Sequence, residues 1–165
     1  MKIPVMRTLL AGLAGGMALN LAMILTFLLL GFGLHADGIL LDPSLQSAKV
    51  IAVWTEIEPT PLVVASPVPI VIGLMLFGIG HALIYSWLAP NWPKGIIPRA
   101  LRIGGLVFFS SFLFWEFFTP FNMFGEPAPL LGLELIFWGI IAFADAFAIA
   151  AVFEFRPTVK RQGEP

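Results

Sequence analysis

Cysteine is absent from this 165-residue chain, which removes disulfides, thiolate catalysis and cysteine-ligated zinc or iron–sulfur centres together. Histidine occurs only at positions 35 and 81. His35 falls near a membrane surface and His81 well inside a helix, so the two are too far apart to hold a haem between them. Charge is scarce as well. Only 12% of residues are charged and the formal net charge is −1, so the chain has no basic field for nucleic acid. There is no nucleophile elbow, phosphate loop, zinc-protease helix or dinucleotide fingerprint, and Ser110-Ser111 has no base nearby. Catalytic residues and cofactors stay unassigned on these grounds, and a non-enzyme is the favoured class.

What fills the chain instead is apolar surface: 59% of residues are hydrophobic and the mean hydropathy is +0.95. A soluble domain of this length has too little interior for that much apolar area, whereas a bilayer accommodates it. Four runs read as transmembrane helices, at about 8–34, 68–89, 101–118 and 129–153. Crossing a hydrocarbon core of ~30 Å takes about 20 helical residues. The third run is the shortest and needs Arg102 to snorkel at one end. The first follows Lys2 and Arg7 as a signal peptide would. Its apolar run exceeds the roughly 7–15 residues of a signal h-region, and Leu34-His35-Ala36 is a poor cleavage site, so a retained helix is expected.

The basic residues orient the helices. Lys2 and Arg7, then Lys94, Arg99 and Arg102, then Arg156, Lys160 and Arg161 all fall on one side of four crossings, leaving Lys49 alone on the other. The positive-inside rule places the first group in the cytoplasm. The expected fold is thus all-α and integral to the membrane: a four-helix transmembrane bundle of one membrane domain, with both termini cytoplasmic and one partly helical outer loop at 35–61. The expected location is the cell's inner (cytoplasmic) membrane. In that loop Asp42 before Pro43 reads as the cap of a short helix through about Glu56, with Leu45, Ala48, Ala52 and Trp54 on its apolar side. A strand through Lys49–Trp54 would have no partner. The polar tail 156–165 is expected to be disordered at its end.

Against this background three carboxylates stand out, Glu116, Glu134 and Asp145, because an acid inside a bilayer is costly and marks a site with a partner. Helical rise fixes their depths. Glu116 lies fourteen residues beyond Arg102, so ~21 Å from the cytoplasmic boundary, and Glu134 lies about 7–8 Å below the outer surface from Pro129. The two glutamates are therefore level on consecutive antiparallel helices. Asp145 comes eleven residues after Glu134, and eleven steps of ~100° return to the same face, through Ile141 and Ala142. Asp145 and His81 are also level, ~16 Å and ~13–14 Å from the inner end, with Tyr85 one turn from His81. Asn20 falls near mid-membrane. The intramembrane polar group read from sequence is then Glu116, Glu134, Asp145, His81, Asn20 and Tyr85.

Each feature has a structural and a functional reading. The glutamates either bond across helices or share a proton or cation, and His81–Asp145 is either a static lock or a relay. A metal is not expected, because a carboxylate-bridged di-iron bundle uses paired Glu-x-x-His motifs and neither glutamate has a histidine three residues on. The segment Thr119–Pro129 reads as a stiff apolar loop, with Phe121, Asn122, Phe124 and Glu126 as contact residues for a pocket or a partner. Gly12, Gly15 and Gly16 read as close helix packing, within the chain or between copies. The phenylalanines from Phe108 to Phe118 cover every side of the third run.

The leading expectation is an accessory or scaffolding membrane subunit that works through helix–helix and outer-loop contacts. Its partners would be the lipid bilayer and a larger membrane complex or homo-oligomer. The alternatives are a proton- or ion-coupled transport component and a quinone- or lipid-binding enzyme.

Overall fold

The computed structural model describes residues 4–155, whose regular elements are all helices, with no strand among them. Lys2 and the tail expected at 156–165, with its three basic residues, lie outside the described residues. The main helices are α1 (Val5–Phe32), a short α2 (Ala48–Thr55), α3 (Val68–Asn91), α4 (Ile96–Phe124) and α5 (Ala128–Glu154), with single helical turns at Ile39–Leu41 and Leu62–Ala65 between α1 and α3. All but α2 are long and apolar enough to cross a membrane, which marks a multi-pass membrane protein. Their outward faces carry large apolar side chains such as Leu76, Phe77, Phe109 and Ile136, each more than 60% exposed. Water would penalise such a surface, and lipid does not.

Helix α1 packs against both α3 and α5, while α4 packs chiefly on α5. Glycine sets the first contact. A Cβ on Gly78 would lie 2.3 Å from Gly16 N and 2.5 Å from Gly12 O, so the α1 and α3 backbones touch. Gly15 faces the other way, where a Cβ would lie 2.3 Å from Asp145 Oδ1 and 2.8 Å from Ile149 Cγ1. Small residues at such crossings are the usual means of close packing in lipid, where burying apolar surface gives helices no drive to associate.

Arg7 ties the two ends of the chain together. Its Nε and Nη2 donate to Val152 O at 3.1 and 3.0 Å, and Nη2 donates to Phe155 O at 2.5 Å. These carbonyls end α5 and lack partners within the helix, so the guanidinium caps them. The start of α1 and the end of α5 therefore share one end of the molecule, called here the termini end. The segment between α1 and α3 and the α4–α5 turn occupy the opposite, loop end.

Three expectations need correction. First, α4 begins at Ile96 instead of Leu101 and runs to Phe124 instead of Phe118, so Thr119–Phe124 is helix and not loop. The reason is π-type winding over Phe108–Phe112 and Phe117–Phe121. Pro120 has no N–H to give an α-turn, and a locally widened turn accommodates it without ending the helix. Second, α1 spans Val5–Phe32 instead of 8–34; its last turns, Ile24–Phe32, are also π-wound and stop at Gly33, whose φ is +72°. Third, Asp42 does not cap α2. Its Oδ1 accepts from Ser44 N at 2.8 Å and Ser44 Oγ at 2.7 Å, closing a tight turn and holding the Asp42 carboxyl below its ordinary pKa. Ser47 caps α2 instead, accepting from Val50 N at 3.4 Å. The apolar side of α2 shifts accordingly: Leu45 and Ala48 are exposed, Val50 is buried, and Trp54 lies 4.4 Å from Phe32, ring to ring.

Candidate functional site

At the loop end, α4 presents Glu116, α5 presents Glu134, and the turn between them presents Glu126. Gly125 makes that turn possible. Its φ of +65° ends α4, a conformation glycine adopts without the steric cost a Cβ would bring. Gly125 N then donates to Phe121 O at 3.2 Å and Glu126 N to Pro120 O at 3.1 Å, which folds Glu126 back toward the helices. One carboxylate oxygen from each glutamate lies within 4.8 Å of the others. All three are buried, at 1% exposure for Glu116, 4% for Glu126 and 8% for Glu134.

Neutral donors hold this cluster. The Trp138 indole N–H donates to Glu116 Oε1, and the indole is itself fixed by Phe112, stacked at 4.5 Å, and Phe27 at 4.6 Å. Gln46 Nε2 donates to Glu126 Oε1 at 2.6 Å and to Leu40 O at 3.1 Å, tying the α1–α3 connection to the site. Glu116 Oε2 accepts from no N–H or hydroxyl among the described residues, and the Glu134 carboxyl lies against the same group. No lysine, arginine or histidine among the described residues pairs with the three acids, since the ion pairs are His81–Asp145 and Arg99–Glu154. Burial pushes the Glu126 carboxyl, which lies between the spanning helices, above its usual pKa, and the Gln46 donation partly opposes the shift.

By sequence Glu126 reads as a surface contact, and neither Trp138 nor Gln46 stands out. The available signal was Gly125, a residue suited to a helix-ending left-handed turn, directly before an acid.

Deeper in the molecule His81 Nδ1 lies 2.7 Å from Asp145 Oδ2. Asp145 is fully buried; its Oδ1 has no partner among the described residues and abuts Gly15. Ile141 and Ala142, fully buried, share its stripe with Glu134. Tyr85 does not join this pair. Its hydroxyl donates to Glu154 Oε1 at 3.2 Å, its ring stacks on Phe153 at 4.8 Å, and Arg99 Nη1 also donates to Glu154. This Tyr85–Glu154–Arg99 group at the termini end was not foreseen, because Glu154 reads in sequence as the edge of a tail. Asn20 also stands apart. Its Nδ2 donates to Gly16 O at 2.8 Å and Val71 O at 3.3 Å, locking α1 to the α3 backbone. The six polar residues read as one column thus separate into an acid cluster at the loop end, a buried pair between the two ends, a polar group at the termini end and an interhelical lock.

Of the remaining candidates, Phe121 and Asn122 are exposed. Asn122 edges an open apolar cleft with Phe109, Leu113, Phe114, Phe117 and Phe118 on the outward face of α4. Phe124 is half-buried, with the Lys49 ammonium 5.6 Å from its ring centroid while Lys49 Nζ donates to Met123 O at 2.5 Å. Gly12, Gly15 and Gly16 are occupied in packing within the chain. No protein-family model, curated protein or solved structure matches this chain. Chemistry alone therefore has to speak for the site: a set of buried carboxylate oxygens can take up a cation or share protons.

Proposed function

We propose that the chain is a component of an ion-coupled membrane transport system, with buried carboxylates as the stations that a cation occupies. The observation that carries this reading is the Glu116–Glu126–Glu134 cluster, three buried acids without a basic partner among the described residues. Ionisable groups at membrane depth are costly to keep, and ion pathways and proton relays are among their established uses. His81–Asp145 supplies a second polar station toward the termini end. Ile141 and Ala142 lie buried between the two stations on α5.

The test is flux. Proteoliposomes holding the wild-type protein are expected to move protons or metal cations down an imposed gradient. Glu134→Gln is expected to lower that flux at least tenfold, while Glu56→Gln, on the exposed loop, leaves it unchanged. Absence of any flux of protons, sodium, potassium, calcium or manganese ends the proposal.

The membrane arrangement proposed with it is a four-helix bundle in the inner (cytoplasmic) membrane with both termini in the cytoplasm. Arg7 and Arg99 at the termini end, and Lys49 at the loop end, support that orientation. The lack of cysteine makes the check clean. Glu56→Cys is expected to react with a membrane-impermeant maleimide on intact cells, and Lys94→Cys only after permeabilisation; the reverse pattern refutes the orientation.

The accessory-subunit reading keeps one supporting observation. Phe121 and Met123, 47% and 51% exposed at the loop end, sit beside Asn122 where a partner subunit would cover them. Stoichiometric copurification with a larger complex, together with no flux, would favour it.

A further inference from the structure

The geometry points to the Glu116–Glu126–Glu134 cluster as a binding site for one hard divalent metal cation, with Glu126 as the ligand contributed from outside the spanning helices. This rests on the cation-station reading above and narrows it to a ligand class. Three observations carry it.

The first is span. One oxygen from each acid falls within 4.8 Å of the other two. An ion with ligand distances of about 2.3–2.6 Å holds oxygens up to about 5 Å apart on its opposite sides. Three oxygens at that limit lie about 2.8 Å from a common centre, so side-chain movements of a few tenths of an ångström bring all three onto one cation.

The second is the state of Glu116. This residue is 1% exposed, and its Oε2 accepts from no N–H or hydroxyl of the described residues although Oε1 accepts from Trp138; the other group against this carboxyl is a second acid, Glu134. A buried carboxylate oxygen left bare is unfavourable in the absence of some positive or donating group. The neighbours that do bond the cluster, Trp138 and Gln46, orient Glu116 and Glu126 without neutralising either. Ligand carboxylates in metal sites are held by hydrogen bonds of this kind.

The third is donor type. The cluster contains carboxylate oxygens alone, without imidazole or thiolate. All-oxygen sets suit calcium, magnesium and manganese and disfavour zinc or copper. The two positive charges of one divalent cation against three ionised acids leave the filled site one unit negative, where the acids alone would carry three.

Trp138 also makes the site observable, because its indole donates directly to a ligand carboxylate and lies close enough to sensitise a bound lanthanide. The experiment uses the purified full chain in lipid nanodiscs with terbium as the probe. Saturable tryptophan-sensitised luminescence at one ion per chain is expected, displaced by calcium or manganese and not by potassium. Glu126→Gln, in the turn and outside the spanning helices, is expected to weaken terbium binding at least tenfold. Trp138→Phe should lose most of the luminescence while calcium still raises the unfolding midpoint.

Luminescence of equal affinity in wild type, Glu126→Gln and Glu134→Gln would overturn the assignment, and so would no saturable signal at all. If Glu126→Gln fails to fold, the wild-type midpoint decides: a rise with calcium that potassium does not reproduce supports the site, and no rise refutes it. The two proposals fail separately. Glu134-dependent flux of protons or monovalent ions with no divalent binding removes this inference and leaves the transport reading intact; tight divalent binding with no flux does the reverse.

Discussion

Replacing Gly78 with alanine is expected to destabilise the protein by about 3 kcal/mol, the upper part of the range for overpacking a tight contact. The same substitution at Gly73 or Gly80 should leave stability unchanged or raise it. All three glycines lie on α3 within two turns of one another, so helix propensity is matched, and Gly78 and Gly80 differ in height by only about 3 Å. Their surroundings differ. A Cβ at Gly78 meets Gly16 N at 2.3 Å, Gly12 O at 2.5 Å and Gly16 Cα at 2.6 Å, whereas at Gly73 and Gly80 it meets nothing within 4 Å. The atoms in the way are backbone, and no rotamer change relieves them, so α1 and α3 have to separate. Separation would also stretch the Asn20 bond to Val71 O. At the open positions alanine gains up to about 1 kcal/mol of helix propensity over glycine. Unfolding by denaturing detergent, followed by circular dichroism, reads the difference. Equal midpoints for the three variants would refute the packing account.

The second large effect is expected from His81→Ala. Asp145 is fully buried, and its only hydrogen-bond partner among the described residues is His81. Removing one member of a buried pair leaves the other uncompensated, at a cost of about 3–5 kcal/mol. Replacing both members with apolar groups removes the stranded group as well, so His81→Ala/Asp145→Leu should be more stable than His81→Ala alone. The double-mutant cycle separates this pair from simple packing loss. Purely additive losses would show that the 2.7 Å contact contributes no coupling.

Element type and depth were legible because both follow from regular geometry. Four apolar runs of sufficient length can hardly be anything but spanning helices, and a fixed rise per residue set His81 level with Asp145, which the structure brings into contact. Local backbone detail was harder to read. Pro120 signals a break in sequence, yet a π turn carries α4 past it to Phe124. Asp42-Pro43 has the composition of a helix start, but Ser44 takes the aspartate's oxygen first and the helix waits for Ser47. The candidate site was half visible. Glu116 and Glu134 attract attention as acids in apolar runs, while Glu126 sits among prolines and a glycine and looks like surface. Its burial depends on a single left-handed residue, Gly125, and on Gln46 arriving from eighty positions earlier. Nothing in a local window encodes that encounter. The glycines of α1 were equally ambiguous, because a small face reads the same whether the neighbour is another copy or the next helix of the chain.

Chain order gives the two acid sites different histories at the ribosome. Gly15 and His81 are synthesised well before Asp145, so this aspartate can enter the bilayer against a partner and a notch already delivered. Glu116 has no such reception: Glu126, Glu134 and Trp138 are all still to be made when it emerges. A lone α4 would carry that acid into lipid without its companions. Biogenesis therefore favours α4 and α5 entering the membrane together as a hairpin, with the turn at Gly125 formed as they go in.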